Sequence, residues 1–213
     1  MLTDFGFGEV EVNGEIIAVN PTFNNVSKIG TPAEVVDYIN ELNMFLYAPI
    51  TNFRYLFTGL ESQFWRWTAH KYLSALTVLK CFLDKDLPLD VYGDIAVTKN
   101  GIKLKLGRLG EDGINDVCTL AAHCLKHACL GNDVIDEFNE SSEPMTEFKA
   151  SEFITLATTH FKMNYEEAGN LSMTQFCERM KAEYPEQHKE LEEKRKKAKQ
   201  EAELLRWCND MGL

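Results

Sequence analysis

A chain of 213 residues, 45% hydrophobic and 26% charged, carries enough apolar side chains for the core of one or two domains. It has no apolar run of bilayer-spanning length. Its 22 Lys and Arg face 33 Asp and Glu, a formal charge of −11 that repels phosphate backbones and disfavours sequence-independent nucleic-acid binding. The opening MLTDFGFGEVEV has neither a basic n-region nor an apolar h-region, so residence in the cytosol is expected.

In chain order, GEVEVNGEIIAV predicts a hairpin: Val10 and Val12 precede Asn13-Gly14, and Ile16, Ile17 and Val19 come after. Asn-Gly favours the type I′ turn, whose twist matches that of paired strands. NPTFNNVSKIG predicts a short helix with Asn20 as cap and Pro21 in the first position. In TPAEVVDYINELN, Thr31 is the expected N-cap, Pro32 the first helical residue and Glu34 the partner that closes a capping box. Val35, Ile39 and Leu42 then share one stripe. From Ser62 to Leu83 the density of Phe64, Trp65, Trp67, Tyr72, Leu76 and Leu79 predicts a central buried helix with more than one apolar face. DIAVTKNGIKLKLG predicts a second hairpin turning at Asn100-Gly101, with Ile95 and Val97 before and Ile102, Leu104 and Leu106 after. DGINDVCTLAAHCLKHACLGN then reads as a helix from about Asp112 to Leu130, stopped by Gly131, with Ile114, Val117, Cys118, Ala121, Cys124, Leu125 and Ala128 on its apolar stripe. His123 and His127 fall roughly opposite that stripe.

At DEFNESSEPMTEFKA the composition turns polar and acidic, which reads as a linker. The expected class is α+β: mostly α-helical, with two β-hairpins in an N-terminal domain (1–138), an acidic linker (139–149) and an all-helical C-terminal domain (150–213). After the helix SEFITLATTHF, the stretch HFKMNYEEAGNLSMTQFCERM holds two capping boxes, Asn164 with Glu167 and Ser172 with Gln175. Gly169 between them sits where a helix C-terminus favours φ > 0. Beyond Pro185 a long helix is expected from about Glu186 to Cys208, supported by the Glu190–Lys194, Glu192–Lys196 and Glu193–Lys197 pairs. Its end, LLRWCNDMGL, gathers Leu204, Leu205, Trp207, Met211 and Leu213.

Candidate chemistry is sparse. Cys118, His123, Cys124, His127 and Cys129 could suggest a metal, and His123 and His127 stand four residues apart. The segment reads HCLKH rather than H-E-x-x-H, and the cysteines point away from the histidine side, so an amphipathic helix is the expected reading. The six cysteines (these three with Cys81, Cys177 and Cys208) lie on apolar stretches and are expected to be reduced and mostly buried. GRLGEDG lacks a phosphate-binding signature, and Asp84, Asp86 and Asp90 lack the glycine and glutamate of an EF-hand. FWRWTAHKY interleaves aromatics and cations as a base-stacking platform does, yet on a long apolar helix those rings are expected in the core. No catalytic residue, cofactor or metal is assigned, and a non-enzymatic protein is expected. The terminal helix either docks its apolar end on its own domain or projects it to grip a partner, helix-in-groove fashion.

Three stretches carry a resemblance to a known family: VNPTFNNVSKIGTPAEVVDYINEL, GINDVCTLAAHCLKHACLGN and SEFITLATTHFKMNYEEAGNLSMTQFCERMKAEYP. Together they resemble a family of uncharacterised tailed-bacteriophage proteins typically encoded among the tail genes. The C-terminal stretch is also similar, more loosely, to phage tail assembly chaperones, which coat the tape-measure protein before the tail tube polymerises. A tryptophan frequent before that turn in the chaperones is replaced here by Gly169-Asn170-Leu171. The resemblance implies a chaperone in the host cytoplasm whose partner is the tape-measure or tail-tube protein, with self-association as a further option. The alternative is a structural tail component retained in the virion. The partner-binding residues expected on this reading are Leu204, Leu205, Trp207 and Met211, with Phe176 and Met180 as a second patch.

Overall fold

The computed structural model describes residues 3–4, 6–99, 101–131 and 145–186, together with Lys189, Glu190, Glu193 and Lys197. Both hairpins form, as two separate antiparallel two-stranded sheets. In the first, β1 (Gly8–Val12) and β2 (Glu15–Val19) pair Val12 with Glu15 across Asn13 and Gly14. Those two residues have φ of 54° and 79°, the positive pair that a type I′ turn demands.

The second hairpin, β3 (Gly93–Thr98) and β4 (Gly101–Leu106), pairs Thr98 with Gly101, so Gly101 is a strand residue and not part of the turn expected at Asn100-Gly101. That turn would have set Val97 opposite Leu104; instead Val97 faces Ile102, and Ile95 faces Leu104. The two registers keep every side chain on the same face, so apolar alternation does not choose between them. The base of the hairpin does. Gly107 lies so close to Val91 that a Cβ there would stand 2.4 Å from its carbonyl oxygen. The Arg108 and Leu109 amides donate to Asp90 and Val91 at 2.9 and 3.0 Å.

Helix α1 (Phe23–Val26) is capped by Thr22 rather than Asn20. The Asn20 amide donates instead to Phe82 at 2.8 Å, which holds the end of the first hairpin on the central helix. α2 (Pro32–Leu42) has the full Thr31/Glu34 capping box, and buries Val35, Ile39 and Leu42. Two 3-10 helices, Asn43–Leu46 and Ile50–Phe57, lead into the central α3 (Glu61–Phe82). After the single turn α4 (Leu89–Tyr92) and the second hairpin, α5 (Gly110–Leu125) packs along α3 and widens into a π-helical turn, Lys126–Leu130. Gly131, at φ 77°, ends it.

The C-terminal region consists of α6 (Ala150–Phe161), α7 (Tyr165–Gly169) and α8 (Met173–Glu183), and both capping boxes are present in full. Gly169 has no positive φ. α7 meets α1 so closely there that a Cβ on Gly169 would displace the terminal amide of Asn24. Residues 139–144 of the expected linker lie outside the described residues, but its end is no free tether. Phe148 is buried, and its amide donates to Pro32 at 2.9 Å. Phe148, Ile154, Ala168 and Phe176 belong to the same hydrophobic core as Phe23, Leu79 and Val117, so the described parts of the N- and C-terminal regions share one core. Among the described residues no helix is long and apolar enough to cross a membrane.

Candidate interaction surface

The 3-10 segment between α2 and α3 is built on aromatic rings. Trp67 of α3 stands at its centre, with the rings of Phe45, Phe53, Phe57 and Phe64 at 6.3, 5.7, 5.6 and 6.3 Å. Arg54 lies over Phe64 at 4.7 Å and over Trp65 at 5.5 Å, and its guanidinium bonds Glu111 of α5 at 3.1 Å. The Ile50 amide donates to Asn115 at 3.1 Å. Rings, a cation and two anchors on α5 therefore hold a short, weakly helical segment in one place. Beside exposed Thr51, Asn52 and Thr58 it presents four large apolar side chains to solvent: Tyr47 is 70% exposed, Tyr55 72%, Leu56 58% and Leu60 47%. Exposed aromatics grouped on a fixed support make this segment a candidate interaction surface.

The residues expected to bind a partner fare differently. Phe176 is a core residue, 7% exposed and packed on Phe23, Phe153 and Phe161 at 6.1, 5.7 and 5.6 Å. It presents no patch, because rings from α1 and α6 converge on it, and Met180 is half-buried against the same core. Residues 185 and 186, Lys189, Glu190, Glu193 and Lys197 are helical, in keeping with the expected terminal helix. Leu204, Leu205, Trp207, Met211 and Leu213 lie outside the described residues. The patch at Tyr47–Leu60 escapes sequence reasoning because its spacing is neither 3.6 nor 2. The aromatics of FWRWTAHKY, expected in the core, divide: Phe64 is core, whereas Trp65 and Trp67 are half-buried.

The histidines depart from expectation. The π-helical turn holds more residues than an α-helical one and so shifts the facing of its side chains, and His127 is buried rather than exposed. Its Nδ1 is 3.0 Å from the Thr174 hydroxyl of α8, and Gly6 packs so closely on the ring that a Cβ would stand 2.4 Å from it. Burial, then Lys126 and His123, pushes its pKa down to about 4. Among the described residues no three His, Cys, Asp or Glu side chains are grouped to hold a metal. Cys118, Cys124 and Cys129 are buried thiols and Cys81 and Cys177 half-buried ones; burial pushes Cys118 up to about 12 and Cys124 and Cys129 higher still. Cys208 lies outside the described residues.

His123 lines a groove of about 430 Å³ between β1 and α5. Val10, Leu87, Val117 and Leu120 form its apolar floor, and Glu9, Glu11 and Asp116 its acidic rim. Burial, then Asp112, pushes the Asp116 carboxyl up, while burial, then Lys126, pushes His123 down. A neutral imidazole adds no positive charge beside Glu11 and Asp116 at neutral pH.

The chain belongs to a family of unknown function, DUF6246, whose model matches residues 19–202. No curated protein and no solved structure matches the chain.

Proposed function

We propose that this member of the family is a non-enzymatic tail assembly chaperone of a tailed bacteriophage. It acts in the host cytoplasm by reversible binding to a tail protein, the tape-measure protein before the tail-tube protein. The observation that carries the reading is the apolar ledge of Tyr47, Tyr55, Leu56 and Leu60, held on the Trp67 ring cluster of a strongly acidic chain. A client that is long, helical and prone to aggregate needs its apolar faces covered. The ledge supplies apolar contact, and the charge of −11 keeps the coated complexes apart. The sequence likeness to tail-region proteins directs the choice of client.

Co-expression with the neighbouring tape-measure and tail-tube proteins, followed by pull-down and sizing, tests it. A soluble complex with the tape-measure protein is expected. Tyr55→Asp with Leu56→Asp should weaken it by about 2 kcal/mol or more, the cost of losing central apolar anchors. Absence of any complex, with the protein found instead in purified virions, would replace the chaperone by a structural tail component.

A further inference from the structure

We infer that the groove between β1 and α5 takes an extended, cationic stretch of a partner polypeptide, which adds to the outer edge of β1 as a third strand. The inference concerns a different face from the ledge and stands without the chaperone reading.

The contacts of β2 fix the backbone directions. The Ala18 amide donates to the Asp84 carboxylate at 2.7 Å, and the Ala18 carbonyl accepts from the Asp84 amide at 3.2 Å. The Ile16 carbonyl accepts from the Lys85 ammonium at 3.1 Å. Ile16 and Ala18 therefore point their backbone groups away from β1, and Glu15, Ile17 and Val19 point theirs toward it. With Val10 opposite Ile17 and Val12 opposite Glu15, the alternation of an antiparallel ladder turns the N–H and C=O of Glu11 outward. The outer edge of β2 is occupied by residues 83–85, through a bridge from Val19 to Leu83 and the Asp84 and Lys85 contacts. Among the described residues no third strand pairs with β1, and Glu9, Val10 and Glu11 line the groove.

The groove has the form that strand addition uses, a sheet edge along one wall and a helix along the other. Three successive residues of β1 line it, opposite Asp116, Val117, Leu120 and His123 of α5. Its volume of about 430 Å³ lies within the ordinary range for ligand grooves. Alternate side chains of an added strand would rest on Val10 and Leu120, and those between them would meet the acidic rim.

Charge selects the occupant. Glu11 on the edge and Asp116 across the groove favour Lys or Arg at the cross-strand positions. The same carboxylates oppose a second copy of a chain whose net charge is −11, since pairing two β1 edges would bring like charges together.

The probe is a capped heptapeptide alternating valine with arginine, titrated into isotope-labelled full-length protein and read by amide NMR. Saturable shifts at Glu11, Val117 and Leu120 are expected, with amide exchange at Glu11 slowed at least tenfold. Two controls isolate the backbone. The same peptide N-methylated on the edge that faces β1 keeps its side chains and should bind at least tenfold more weakly. Glu11→Pro removes the outward N–H, a change that edge strands tolerate, together with the carboxylate, and should bind at least tenfold more weakly than Glu11→Gln, which loses the charge but keeps the N–H. The peptide with glutamate for arginine should not bind. Equal binding by the N-methylated peptide, shifts confined to the Tyr47–Leu60 ledge, or no shift at 1 mM peptide would each overturn the inference. A dimer in sedimentation with the Glu11 amide already protected would overturn it too, in favour of pairing between copies. None of these outcomes depends on a tail protein, so failure here leaves the ledge experiment intact.

Discussion

Two aromatic clusters use similar side chains to opposite ends. Around Phe23, the rings of Phe148, Phe153, Phe161 and Phe176 bring together α1, the entry to α6, α6 itself and α8; Phe23 stacks on Phe153 at 5.7 Å, and Phe148 on Phe153 at 5.2 Å. Around Trp67, the rings of Phe45, Phe53, Phe57 and Phe64 support one local segment, and nothing among the described residues covers Tyr47, Tyr55 or Leu56. The first cluster is closed over Phe23, Phe148 and Phe176, with Phe153 and Phe161 at its half-buried margin, because residues far apart in sequence supply its walls. The second is made almost wholly from residues 45–67, and a short stretch of chain cannot cover both its faces. Aromatic content therefore does not tell core from surface; the sequence separation of the contributing residues does.

The largest expected effect tests the closed cluster. Phe176→Ala should cost about 3–5 kcal/mol in urea unfolding, since it empties a site walled by three other rings. A cost below about 1 kcal/mol would show that the C-terminal helices do not depend on it. The matching change on the open side, Tyr55→Asp with Leu56→Asp, should shift stability by no more than about 0.5 kcal/mol per site, as exposed positions do. A large loss there would mean the ledge is structural.

The next effect is set by pH. His127 links the π-helical turn to α8, beside the closed cluster. Its pKa of about 4 in the fold lies below the value near 6.5 that it takes when unfolded. The neutral ring thus contributes in full above about pH 6.5, and the contribution is lost as pH falls toward 4, because the unfolded chain takes the proton first. The loss should approach about 3 kcal/mol, and His127→Gln should remove that part of the pH dependence from melting curves. An unchanged profile would mean that the ring is protonated or exposed in the fold.

Smaller effects come from the supports. Ser172→Ala removes the buried N-cap of α8 and should cost about 1 kcal/mol by denaturant titration. Arg54→Met removes the cation over Phe64 and the half-exposed ion pair with Glu111. It should cost less than about 1 kcal/mol, yet broaden the NMR signals of residues 47–57. Sharp, unshifted signals would mean that the ring packing alone fixes the ledge.

Much of the fold is legible in the sequence because its signals are local. Thr31 with Glu34, Asn164 with Glu167 and Ser172 with Gln175 close within one turn, and Asn13-Gly14 carries its own turn geometry. The apolar stripe of α5 reads correctly as far as its helical period holds. His127 is misplaced where a π-helical turn breaks that period, and the residue that presses on its ring, Gly6, lies far away in sequence. Phe176 reads as surface because the partners that bury it lie at Phe23 and Phe153. The ledge is illegible because a 3-10 segment has no long-period pattern to find.

By itself the sequence determined the element types, their caps and the first hairpin's register, since each rests on interactions spanning a few residues. The tertiary structure alone decided the register of the second hairpin, chosen by Val91 against Gly107 and not by apolar alternation. It alone joined the C-terminal helices to the N-terminal core through the phenylalanines. Among the described residues it also left β1 without a third strand and the Tyr47–Leu60 ledge exposed. Those outcomes turn on which distant surfaces meet, and local propensity carries no information about that.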